Sequence, residues 1–66
     1  GVMLSQFNDA CFRGLSDKLT IAIDTQNAEE VTAVLEEADA YFNGEQISIQ
    51  QIADLYADAR VAGYEF

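Results

Sequence analysis

Sixty-six residues carry 12 acidic and 3 basic side chains, for a net charge of −9 and a pI near 4.1. That balance excludes direct electrostatic binding to nucleic acid or an anionic membrane. One cysteine, Cys11, excludes an intrachain disulfide, and a chain without histidine lacks the usual zinc ligand sets.

Half of the residues are hydrophobic, so a folded chain is expected rather than a disordered one. Residues 1–66 read as a single domain, with Gly1-Val2 reading as a tag scar ahead of Met3. One core of this size supplies only ~3–5 kcal/mol of net stability. No apolar run reaches the roughly 18 residues of a membrane helix, and residues 1–20 lack the basic-then-apolar order of a signal peptide. With a lone cysteine, the expectation is a reducing, cytosolic setting.

A first helix is predicted over 5–25, with Ser5 as N-cap and Phe7, Cys11, Leu15, Leu19 and Ala22 at helical spacing, widened by Phe12 and Ile23. Its opposite face sets Asp9, Arg13 and Asp17 at i,i+4 steps of alternating sign, which predicts ion pairs occupying Arg13. Gly14 lies mid-helix, where it costs about 1 kcal/mol relative to alanine. Leu19 to Ile23 also alternates like a short strand. A lone strand would have no partner, so helix is the expectation, with a kink tolerated near Gly14.

The second helix, 28–43, is the clearest. Asn27 and Glu30 form an expected capping box, and Val31, Val34, Leu35, Ala38, Tyr41 and Phe42 fall on one face. Gly44 is expected to end it in the left-handed C′ conformation. The third helix, 49–62, is introduced by a Ser48/Gln51 capping box and an Ile47/Ile52 staple. Its inner stripe reads Ile49, Ile52, Leu55, Tyr56, Ala59 and Ala62, and Gly63 is the C′ stop on which Tyr64 folds back. Short connections between helices make neighbours antiparallel, so the fold class is all-α, a small three-helix bundle.

Catalysis is not expected. Asp39, Asn43 and Gly44 match part of a calcium-loop pattern, but Tyr41 and Gln50 stand where oxygen donors are required, so neither metal nor cofactor is predicted. Cys11, with no histidine to deprotonate it, reads as a small core residue. The unusual feature is regular acidity. Glu29 with Glu36, and Glu30 with Glu37, repeat at seven residues, about 10.5 Å apart along the helix. Asp39 extends the set on the second helix, and Asp54 and Asp58 repeat it on the third.

These seven acids are the expected partner-binding residues, for a basic and nucleic-acid-binding protein. Function is then inhibition by imitation of a phosphate array, as phage proteins do against host defence. The alternative is a small protein–protein interaction module or homodimer in which Tyr64 and Phe66 anchor the partner, joined by a weakly apolar line of Ala53, Ala57 and Val61. Either way, neither nucleic acid nor membrane is bound directly.

Overall fold

The computed structural model describes residues 2–64, with side chains from Phe7 onward. Helix α1 runs Val2–Asp24, α2 Ala28–Asn43 and α3 Ile49–Val61, and together they form a three-helix bundle. The longest dimension, 37 Å, is set by α1, whose 23 residues rise about 34 Å. Residues 19–23 are helical and Gly14 does not interrupt α1. Gly14 is exposed, and a Cβ placed on it would meet nothing. The expected cap Ser5 lies inside α1, because Val2 to Leu4 contains no residue that stops a helix.

The core is Leu15, Leu19 and Ala22 from α1, Val31, Val34, Leu35 and Ala38 from α2, and Ile52, Leu55 and Ala59 from α3, closed below by Ile47. Cys11, Phe12, Ile23, Tyr41, Phe42, Tyr56 and Tyr64 are half-buried around it. Three predicted core positions are on the surface instead. Phe7 is 52% exposed and Ile49 68% exposed, each about 90° round its helix from the mean core direction. Ala62 is exposed because α3 ends at Val61, leaving it as the C-cap.

All three helices close with the same pair of backbone hydrogen bonds, in which C″ donates to C3 and C′ to C2. Asn27 N donates to Ala22 O and Gln26 N to Ile23 O; Gln46 N donates to Tyr41 O and Glu45 N to Phe42 O; Tyr64 N donates to Ala59 O and Gly63 N to Arg60 O. The left-handed residues are therefore Gln26 (φ 56°), Glu45 (φ 60°) and Gly63 (φ 101°). The prediction for Gly63 holds, and the one for Gly44 does not. The helix ends at Asn43 as expected, but Gly44 is its C-cap with φ −84° and the reversal falls one residue later, at Glu45.

A non-glycine residue in that conformation costs roughly 1–2 kcal/mol, part of which glycine recovers. Glu45→Gly is thus expected to stabilise the fold by about 0.5–1 kcal/mol, read as a higher urea midpoint. A loss of stability would show that Glu45 makes a contact outweighing the strain.

The closure of α1 also explains half of the capping at α2. Asn27 Oδ1 accepts from Glu30 N at 3.3 Å, as expected. The reciprocal bond of the predicted box is missing because Asn27 N–H is already given to Ala22 O. At α3 the box is complete: Gln51 N donates to Ser48 Oγ at 3.1 Å and Ser48 N donates to Gln51 Oε1 at 2.8 Å.

Candidate partner-binding surface

Helix α2 turns its acids in three directions. At about 100° per residue, Glu29 and Glu36 lie opposite the core line of Val31, Val34, Leu35 and Ala38, facing solvent, and both are exposed. Glu30 and Glu37 fall on the flank toward α1, where Lys18 Nζ donates to Glu37 Oε1 and Oε2 at 3.0 and 3.3 Å. That contact, through its hydrogen bond first and the carboxylate charge second, raises the Lys18 ammonium above its ordinary range. Asp39 falls on the flank toward α3, where Tyr56 Oη donates to both carboxylate oxygens at 3.0 Å. Burial, and then the bond to Asp39, push the Tyr56 phenol up.

A raised phenol pKa means the folded state prefers the protonated form. The stability it carries is present below the ordinary value of about 10 and is lost as pH rises through the raised one. Tyr56→Phe is expected to cost about 0.5–1 kcal/mol at pH 7 and to show a flatter decline as the pH rises above the ordinary phenol value of about 10 in urea unfolding. A variant that declines in parallel with the parent protein would remove the Tyr56–Asp39 bond as the cause.

On α3, Asp58 and Asp54 lie within about 20° and 60° of Gln51, whose amide is bonded to Asn8 of α1. Tyr56, bonded to α2, lies on the other flank. The seven predicted acids are accordingly divided. Glu29 and Glu36 face outward on α2, Glu30 and Glu37 border α1, Asp39 borders α3, and Asp54 with Asp58 lie on the flank of α3 that carries Gln51. Among the described residues the one ion pair is Lys18–Glu37. The expected Asp9–Arg13–Asp17 series does not close into ion pairs; exposed side chains gain too little from such contacts to be held in one geometry.

Between Glu29 and Glu36 the surface is a shallow depression lined by Ala28, Thr32 and Ala33, so no bulky side chain screens the two carboxylates from each other. Tyr64 packs half-buried against the core, where it covers the end of the bundle. Phe66 lies outside the described residues. Apolar exposure is instead concentrated at Phe7, Ile21 (62%), Ile49 and Val61 (89%). Of these, Phe7 and Ile49 were expected in the core, and both stand at the edge of the apolar arc of their helix, about 90° from its centre.

No group of three or more Cys, Asp or Glu side chains is placed to hold a metal ion among the described residues. No helix there is long and apolar enough to cross a membrane. Fold and surface together define a class, the small acidic three-helix bundle. No family model, curated protein or solved structure matches the chain.

Proposed function

We propose that this protein is a non-enzymatic binder whose acidic helical surface occupies the basic, nucleic-acid-binding site of a partner protein. The observation that supports the reading most is the uncompensated charge. Of 12 carboxylate side chains, one is engaged in an ion pair among the described residues, and Glu29 and Glu36 stand clear on the outward line of α2. Their separation along the helix, about 10.5 Å, is close to three nucleotide steps of about 3.4 Å along one DNA strand. Fixed carboxylates on a helix keep that spacing without the entropy a disordered acidic tail would lose on binding.

A basic protein captured by this chain should be released by about 0.5 M salt and by duplex DNA. The triple variant Glu29→Gln, Glu36→Gln, Glu37→Gln should weaken binding several-fold, mainly through a slower on-rate, while its helical spectrum is retained because like-charge repulsion falls. Capture that is indifferent to salt and to DNA overturns the reading. The exposed Ile49 and Val61 favour a second one, a protein–protein interaction module whose acidity serves solubility.

A further inference from the structure

Along α3, Ile49, Ala53, Ala57 and Val61 follow one another at i,i+4 and are all exposed, with the two large side chains 68% and 89% accessible. Four residues on one i,i+4 row form a ridge of the kind that packs against another helix at a crossing near 50°. Its ends stand about 18 Å apart, and its centre is alanine, which leaves a notch for a bulky side chain between Ile49 and Val61. The neighbouring row is Gln50, Asp54 and Asp58. On the other side lie Tyr56, which carries the bound Asp39 carboxylate at its tip, and Arg60 at the C-terminal end. Carboxylates therefore edge the middle of the apolar ridge, Asp54 and Asp58 on one side and Asp39 on the other.

We propose that this ridge of α3 docks a cationic amphipathic helix of the partner, with a large apolar side chain seated over Ala53 and Ala57 and lysines or arginines set against Asp54 and Asp58. Charge decides between this occupant and a second copy of the chain. A second copy would bring another −9 and three cations, one of which, Lys18, is already committed to Glu37. The inference shares with the reading above only the basic character of the partner.

The probe is an amidated 18-residue peptide of lysine and leucine, with leucines at helical spacing and one central tryptophan, set beside a scrambled peptide of the same composition. Binding is read from the tryptophan emission of the probe, since the protein has no tryptophan. The patterned peptide should bind at least tenfold tighter than the scrambled one. The double variant Ile49→Ser, Val61→Ser should lose at least tenfold, and because both side chains are exposed its unfolding midpoint should stay near that of the parent. Asp54→Asn with Asp58→Asn should lose several-fold and flatten the salt dependence, whereas Glu29→Gln with Glu36→Gln should change peptide binding less than twofold.

Equal binding of the scrambled peptide, or full binding by the Ile49/Val61 variant, overturns the docking ridge and leaves the acidic-binder reading standing. A concentration-dependent dimer in sedimentation that Val61→Ser dissociates also overturns it, by giving the ridge to a second copy. Loss of DNA-competed capture in the Glu29/Glu36 variant bears on the other reading alone.

Discussion

Leu55→Ala is expected to abolish cooperative folding at 25 °C. Leu55 is 0% exposed and sits on α3 at the centre of a core to which all three helices contribute. Removing a buried leucine to alanine costs about 2–5 kcal/mol, the larger values where neighbours cannot collapse into the space. The helices around Leu55 are tied by hydrogen bonds from Asn8 to Gln51 and from Tyr56 to Asp39, which hinders such collapse. A bundle of this size holds about 3–5 kcal/mol in total, so the loss consumes most of it. Far-UV circular dichroism should show a shallow, non-sigmoidal urea curve. Leu55→Met, which keeps the volume, should retain a cooperative transition with a loss below about 1.5 kcal/mol. A Leu55→Ala protein that still unfolds cooperatively, within about 1 kcal/mol of the parent, would place Leu55 outside the core.

The parts of the fold legible in the sequence are those fixed within a few residues of chain. The Ser48/Gln51 box, the Gly63 stop and the core line of Val31, Val34, Leu35 and Ala38 each declare themselves at spacings of three or four, and each is present as predicted. Glu45 was hidden for a physical reason. Glycine is the residue best suited to the left-handed turn, yet Gly44 fits equally well in the right-handed C-cap, and composition cannot say which of two adjacent residues reverses the chain.

The surface was less legible than the core. Periodicity places Glu37 and Asp39 on exposed lines of α2, but the rotation of α1 and α3 about the bundle brings Lys18 to one and Tyr56 to the other. Glu29 and Glu36 have no such neighbour, because they point directly away from both helices. Asn8 gave no local signal at all, since its partners are 38 and 43 residues away in sequence.

Asn8→Ala is expected to cost about 2 kcal/mol, roughly half of what the fold holds. Asn8 Nδ2 donates to Gln46 O at 2.8 Å and to Gln51 Oε1 at 2.9 Å, and Gln51 Nε2 donates back to Asn8 Oδ1 at 2.8 Å. The same Gln51 Oε1 takes the N–H of Ser48 in the capping box, so Asn8 fixes the start of α3 against α1 and reinforces the cap in one contact. Alanine leaves Gln46 O and Gln51 Nε2 part-buried without their partner, which is the expensive way to lose a hydrogen bond. Because Gln51→Ala removes the same contact from the other side, the double variant should cost less than the two single losses added, with a coupling of at least 0.5 kcal/mol in urea unfolding. Asn8→Asp is the sharper substitution. Its carboxylate replaces the donor by an acceptor facing two oxygens, which raises its pKa in the folded state, so its stability deficit should be largest at pH 7 and shrink, relative to Asn8→Ala, as the pH falls toward 4. A deficit that does not change with pH, together with additive single losses, would show that Asn8 and Gln51 do not act as a pair.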